Sequence, residues 1–299
     1  MLSILFNFDF IDYLLYTFFG DIMLVNSYEM LMKAKKNNSV VFHFNINNLE
    51  WTKVILEKCN EENIDVILGV SEGAIKYMGG YDVVSALVTS LMKDLEIKNN
   101  VCLHLDHGSS FDSCKKAIDA GFTSVMIDAS KYEYQENVRI TRDVVNYAHE
   151  RNVTVEAEIG HVGGIEDNVC SNILLTNKED CMRFVNDTGI DSLAPAIGTV
   201  HGIYKGELNI DYNLIKELHD SLSLPLVMHG GSGLPLEVLK KCVECGINKI
   251  NVNSDLQKVW HDAVLEFINS SSEYDPRKVI MSGRDAIVKE IDNKLSILK

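Results

Sequence analysis

The chain has 299 residues, 46% of them hydrophobic, enough for one large core or two small ones. Its 28 Lys and Arg against 43 Asp and Glu leave a net charge of −15, which argues against a nucleic-acid binder. It does not exclude phosphate ligands, which backbone N–H groups and one or two local cations can hold. Seven cysteines, an odd number without disulfide-like spacing, suit a reducing cytoplasm. The one Cys-x-x-Cys, Cys242 and Cys245, reads as a half-buried helix face.

Residues 1–22 are rich in Phe, Leu and Ile, yet Asp9, Asp12 and Asp21 interrupt them and no Lys or Arg precedes them. They satisfy neither a secretory signal nor a sound transmembrane span. They read as an upstream extension, an artefact of start-codon choice with Met23 as the true beginning, and no stable membrane association is expected. A helix over about 26–37 follows, then a strand, Val40 to Asn45, and a helix over about 48–61. Asp65 to Ser71 is the second strand. After two helical stretches, Val101 to Leu105 is the third, ending in Asp106-His107-Gly108-Ser109-Ser110. Phe111 to Ala120 is helical, Ser124 to Ser130 the fourth strand, about 136–151 a helix and Val153 to Ile159 the fifth strand. Ser192 to Gly198, Pro225 to His229 and Lys249 to Asn253 complete eight strands, and helices run to the C-terminus.

Eight short apolar runs, each followed by a helix, predict a single (β/α)8 barrel over residues 23–299 with extra C-terminal helices. The runs are near-continuous, as suits a parallel sheet covered by helices. An open doubly wound sheet is the other arrangement of such elements, but no Gly-x-Gly-x-x-Gly follows the first strand.

In such a barrel the C-terminal strand ends share one face. Asp106, His107, Asp128, Glu158, His201, His229, Asn251 and Asn253 all fall there. One rim histidine is usually structural. Three, each followed directly by glycine (Gly108, Gly202, Gly230), point instead to a catalytic zinc site with an open position. An adjacent Asp106 suits a general base beside such a ligand. The loops after strands seven and eight, His229-Gly230-Gly231-Ser232-Gly233 and Asn251-Val252-Asn253-Ser254, have the accessible N–H groups and hydroxyls of a phosphate site. Metal beside phosphate suggests a phosphorylated carbonyl substrate. In Gly160-His161-Val162-Gly163-Gly164-Ile165-Glu166-Asp167, Glu166 is either a mobile acid/base or part of a solvated acidic turn. His104 shares strand parity with Asp106 and reads as a buried, hydrogen-bonded histidine. His43, His149, His219 and His261 read as structural.

From Met23 onward the chain resembles the class II, metal-dependent fructose-1,6-bisphosphate aldolases, in particular their shorter bacterial subgroup. The resemblance rests on FNINNLE (44–50), VILGVSEGA (66–74), HLDHGSSF (104–111), AGFTSVMIDAS (120–130), VEAEIG (155–160), GGIEDNV (163–169), GTVHG (198–202), HGGSG (229–233), KINVNS (249–254) and YDPRK (274–278). It implies His107, His201 and His229 as ligands of a catalytic Zn²⁺, and Asp106 as the base that takes the C4 hydroxyl proton. Glu166 is implied as the loop acid that exchanges the proton on dihydroxyacetone phosphate. Asp128 and Glu158 match a second divalent-metal position. Gly202, Gly230, Gly231, Ser232, Asn251, Val252, Asn253 and Ser254 match the dihydroxyacetone phosphate cradle, beside which the family often holds a monovalent cation, Na⁺ or K⁺. Ser71 is counted among the substrate-binding residues, and Arg277 is implied at the 6-phosphate, across a boundary of a homodimer or larger homo-oligomer.

Three positions depart from the family pattern. His161 stands where many relatives have Thr, Ile203 where Pro is common, and Ser232 where Thr is common in fructose enzymes but Ser in tagatose-bisphosphate relatives. A tagatose-1,6-bisphosphate aldolase is therefore the alternative, although Val70-Ser71-Glu72-Gly73 and Asp275-Pro276-Arg277 look like the fructose enzymes. A metal-dependent hydrolase barrel would need His-x-His at strand one, where the chain has His43-Phe44-Asn45. A non-catalytic phosphosugar binder would need neither Asp106 nor Glu166. No strand core offers a Schiff-base lysine except Lys249, at a strand's start.

Overall fold

The computed structural model describes residues 24–298 apart from 161–162, 167–168, 172–174 and 203–208, and describes the backbone alone for 163–166, 169–171 and 201. The extension 1–22, His161 and Ile203 lie outside the described residues.

All eight expected strands are present: β1 (Val41–Asn45), β2 (Val66–Ser71), β3 (Val101–Gly108), β4 (Ser124–Ile127), β5 (Thr154–Ile159), β8 (Ser192–Pro195), β10 (Leu226–Met228) and β11 (Ile247–Val252). They close into a barrel in that order, and β11 pairs with β1 in parallel through Val41–Lys249 to Phe44–Val252. Against the sequence reading, β3 runs three residues further to Gly108, β4 and β8 each end three residues earlier, at Ile127 and Pro195, and β11 begins two residues earlier at Ile247. Lys249 is thus inside a strand and not at its start.

Several helices begin where a short polar side chain caps them. α1 (Tyr28–Lys36) precedes β1, and α2 (Leu49–Glu61) opens on Asn48, whose side chain accepts from Trp51 N at 2.9 Å. α3 (Glu72–Met78) is capped by Ser71, then come α4 (Tyr81–Asp94) and α5 (Phe111–Asp119). In α5, Ser110 and Ser113 form a reciprocal capping pair directly after the β3 rim. α6 (Tyr134–His149), α7 (Lys178–Thr188), α8 (Tyr212–Ser221) and α9 (Leu236–Cys245) follow their strands. α10 (Ser254–Ser270), α11 (Pro276–Met281) and α12 (Arg284–Leu295) complete the chain. Among the described residues no helix is long and apolar enough to cross a membrane.

Strand parity divides the residues between two environments. Phe42 and Phe44, Leu103 and Leu105, and Val155, Ala157 and Ile159 join the large outer core beneath the helices. Their alternates face the lumen. At the base, Val41, Ile67 and Cys102 pack with Met30, Leu31 and Ala34, so α1 plugs that end with apolar contacts. Above this plug the interior is polar: His43, His104, Asp106, Glu156, Glu158 and Lys249 are each at most 2% exposed. His43 fits only because β2 carries glycine beside it. A Cβ on Gly69 would fall 1.5 Å from His43 Nε2, inside the ring's own volume.

A small second sheet was not legible in the sequence. β6 (Gly163–Glu166), β7 (Val169–Ser171) and β9 (Val200–His201) pair in the order β7-β6-β9. The stretch after the fifth strand, read as a mobile acid/base loop or a solvated acidic turn, therefore has strand backbone at Gly163–Glu166. These strands are two to four residues long and have no apolar alternation of their own, so they carry no periodic signal.

Candidate active site

Asp and His at neighbouring positions of a regular strand would point to opposite faces. The barrel brings Asp106 and His107 to one rim by breaking β3 at that point. His107 takes a left-handed backbone with φ of +50°, and the pairing of β3 with β4 slips between Leu105 and Gly108. A left-handed non-glycine residue costs free energy and tends to occur where a side chain has to be re-aimed. Here the re-aimed side chain meets His229 at the end of β10. The two rings are edge to face with centroids 4.6 Å apart, and His107 Nε2 lies 2.8 Å from His229 Nδ1.

The remaining ring nitrogens are both held by carboxylates. His107 Nδ1 is 3.0 Å from Asp128 Oδ2, and His229 Nε2 is 2.8 Å from Glu156 Oε1. Desolvation opposes the charge on Asp128, but the hydrogen bonds from His107 and Ser130 outweigh it and hold the carboxyl well below its usual range. Burial likewise opposes the charge on Glu156, and the Lys249 ammonium with the His229 hydrogen bond overcomes it. Burial holds His229 neutral to lower pH than a free imidazole, despite Glu156. With carboxylates accepting from Nδ1–H of one ring and Nε2–H of the other, the two facing nitrogens present lone pairs to one point. Imidazoles oriented by carboxylates are the donor set of a transition-metal site. Glu158 joins them, one atom from each of His107, Glu158 and His229 lying within 4.8 Å of the others.

The third expected histidine, His201, is on β9 beside this group. Its backbone pairs with Gly164, and β9 passes so close to the His229 loop that a Cβ on Gly230 would fall 2.2 Å from the Val200 carbonyl oxygen. Gly230 also has a φ of +67°, so the position demands glycine on both counts. The side chains of His201 and Glu166 lie outside the described residues.

Asp106 stands next to this centre, 1% exposed. Asn45 Nδ2 donates to its Oδ2 at 2.8 Å, and Asn251 Nδ2 to Oδ1 at 3.4 Å. His43 Nε2 is 3.7 Å from Oδ2. Burial and the nearby Lys249 hold His43 and His104 well below the usual imidazole range, so both are neutral. The loops after β10 and β11 are tied together: Ser232 Oγ accepts from Asn253 N at 3.0 Å and from Asp255 N at 3.4 Å, and Gly231 N donates to Asn251 O at 3.2 Å. The first turn of α10 opens beside them. On this rim Thr199 Oγ1, Asn251 Oδ1 and Asn253 Oδ1 are buried with no hydrogen-bond partner among the described residues.

Residues 25–299 match the family model described as fructose-bisphosphate aldolase class-II. The chain belongs to the class II fructose-bisphosphate aldolase family. It is 50% identical over 274 residues to a fructose-bisphosphate aldolase of Geobacillus stearothermophilus, covering 91% of this chain and 96% of that one. A Staphylococcus aureus fructose-bisphosphate aldolase matches with the same identity and coverage. Among solved structures, the YdjI aldolase from Escherichia coli K12 superposes with a TM-score of 0.80 at 28% identity, over 92% of this chain and 97% of that one.

Within this barrel, His107, His229, Asp106, Asp128, Glu158, Asn251 and the Gly230–Ser232 turn lie together at one rim. Arg277 does not join them in the single chain. Its side chain is 88% exposed and binds Asp275 through two nitrogens, Nη2 at 2.6 Å and Nε at 3.0 Å. Ser71 spends its hydroxyl capping α3, accepting from Ala74 N at 3.3 Å. Asn45, which holds Asp106, and Glu156 were missed. Glu156 drew no functional reading because the VEAEIG run offers two acids, and only Glu158 was taken as a rim group. Strand parity was the available signal, since it places both inward. His43, read as structural, packs edge-on to His104, centroids 5.4 Å apart, and approaches Asp106. Among the other histidines, His104 is 2.8 Å from Ser124 Oγ, as expected. His149 lies by Asp191, His219 by Lys35 and His261 by Asp262.

Proposed function

We propose that the protein catalyses reversible, zinc-dependent aldol cleavage of fructose 1,6-bisphosphate to dihydroxyacetone phosphate and glyceraldehyde 3-phosphate. The observation that carries this reading is the pair of carboxylate-oriented imidazoles with converging nitrogens, set beside the buried Asp106 carboxylate at the open end of a class II aldolase barrel. His107, His201 and His229 would hold the metal, a set of neutral nitrogen ligands suited to Zn²⁺. When bound there, the ion supplies positive charge next to the C2 carbonyl oxygen, for the electron pair released from the C3–C4 bond. Asp106 takes the proton from the C4 hydroxyl as the C3–C4 bond breaks and the aldehyde forms. Asn45 and Asn251 hold its two oxygens in place for that transfer. Glu166 returns a proton to C3.

Gly202, Gly230, Gly231, Ser232 and residues 251–254 cradle the nearer phosphate, with α10's first turn adding N–H groups. The buried, unpartnered oxygens of Thr199, Asn251 and Asn253 suit a monovalent cation at that phosphate. Asp128 and Glu158 are the acids for a second divalent ion. Asp128 also braces His107, so the two roles compete for its carboxylate. The oligomer is a homodimer or larger assembly, supported by Leu265 and Ile268, which α10 leaves 48% and 51% exposed. The six described cysteines are all free, in keeping with a cytoplasmic site of action.

Tagatose 1,6-bisphosphate, the C4 epimer, is the competing substrate. Ser232 was the residue that suggested it, and its hydroxyl is committed to bracing the two loops. The test is cleavage of both bisphosphates by one preparation. Fructose 1,6-bisphosphate is expected to have the higher kcat/KM, and the reverse order would reassign the substrate.

Arg277 gives an independent check. Its contact with Asp275 is solvent-exposed, so it holds the guanidinium only weakly and leaves it available to a phosphate. Arg277→Ala is expected to lower kcat/KM for the bisphosphate on the order of ten- to a hundredfold, as loss of a charge-assisted contact does. Proton exchange on dihydroxyacetone phosphate, which has no second phosphate, should hardly change. Equal losses in the two assays would place the effect in folding or assembly.

A further inference from the structure

The lumen holds an ion pair that the roles above do not use. Glu156 on β5 and Lys249 on β11 reach toward each other across the barrel interior, with β8 and β10 between them along the wall. Lys249 Nζ donates to Glu156 Oε2 at 2.8 Å, and the side chains are 1% and 2% exposed. The other carboxylate oxygen, Oε1, is 2.8 Å from His229 Nε2. The chain of contacts therefore runs from Lys249 through Glu156 and His229 to His107 Nε2.

Stability alone gives little reason for such a pair, because apolar residues of similar volume commonly do as well or better in a buried position. Its geometry gives a different reason. An ionised carboxylate only accepts, so the proton of His229 is on Nε2 and the lone pair is on Nδ1, the nitrogen that faces His107. Lys249 occupies the second oxygen and stops the carboxylate from pivoting off the ring. His107 is held in the same manner by Asp128, whose second oxygen is occupied by Ser130. Two candidate ligands thus have the same support, built from different strands.

We propose that Glu156, anchored by Lys249, is a positioning residue that holds His229 in the tautomer and orientation that presents Nδ1 to the metal. This rests on the metal-site reading given under Proposed function. The experiment compares zinc affinity, measured by competition with a chromophoric chelator, in the wild-type protein and in Glu156→Gln and Glu156→Gln/Lys249→Met. The double substitution removes the carboxylate together with its buried counter-ion and leaves no charge stranded. Both variants are expected to bind zinc about 10–100-fold more weakly, the usual loss when a partner of a ligand histidine is removed. Two-bond proton–nitrogen correlation spectra of the metal-free proteins give a second readout. They should show His229 as the Nε2–H tautomer in the wild type and a mixture in the double variant. If the double variant does not fold, Glu156→Asp, which keeps both charges but retracts the carboxylate, is measured instead with the same expectation. A folded double variant, or failing that Glu156→Asp, with wild-type zinc affinity and an unchanged His229 tautomer would overturn the proposal. A wild-type protein that bound no zinc would instead overturn the metal-site reading itself.

Discussion

Asp106→Ala is expected to lower the rate of bisphosphate cleavage by roughly 10²–10⁴-fold, the range lost with a positioned general base. The size of the effect follows from the setting of the carboxylate. It is almost fully enclosed and held by amide donors on both oxygens, so no solvent water can take the same place with the same aim. The zinc content should stay at the wild-type level, because His107 and His229 are oriented by Asp128 and Glu156 and not by Asp106. Proton exchange on dihydroxyacetone phosphate should also persist, since that step involves C3 and the proposed donor is Glu166. The checks are steady-state cleavage, elemental analysis and deuterium exchange on the same sample. Loss of exchange together with cleavage, at full metal content, would mean that Asp106 serves both proton transfers.

Removing the metal should have at least as large an effect. A bound divalent ion contributes several kcal/mol to stabilising developing charge, so its loss is worth on the order of a thousandfold or more in rate. Treatment with EDTA is expected to reduce cleavage to background and Zn²⁺ to restore it. His229→Ala should do the same without recovery, because it removes a ligand and leaves Glu156 facing a cavity with Lys249 as its one partner among the described residues. His107→Ala should match it in lost metal, since these two rings contribute the nitrogens that converge at 2.8 Å. Cleavage at the wild-type rate by protein shown to be metal-free would remove the ion from the mechanism. Among the described residues no lysine is then left idle to replace it in the lumen, because the Lys249 ammonium is engaged with Glu156.

The order of the eight strands and most of the site were legible in the residues because both depend on local pattern. Continuous apolar runs mark parallel strands buried on both faces, and Asn, Ser and Asp after them mark helix starts. A parallel barrel then places every strand's C-terminal end on one rim, which is why Asp106, His107, Glu158 and His229 could be grouped without coordinates. The tertiary structure decided what pattern does not encode. One such feature is the left-handed kink at His107 that turns two adjacent residues toward one centre, since a strand's alternation alone would separate them. Another is the small sheet of β6, β7 and β9, in which the β6–β9 pairing joins segments more than thirty residues apart along the chain. The third is the meeting of Glu156 with Lys249 and His229 in the lumen. Sequence shows a carboxylate, an ammonium and an imidazole on three different strands. Only closure of the barrel brings them within hydrogen-bond reach, in an interior where each must find a partner or not be charged at all.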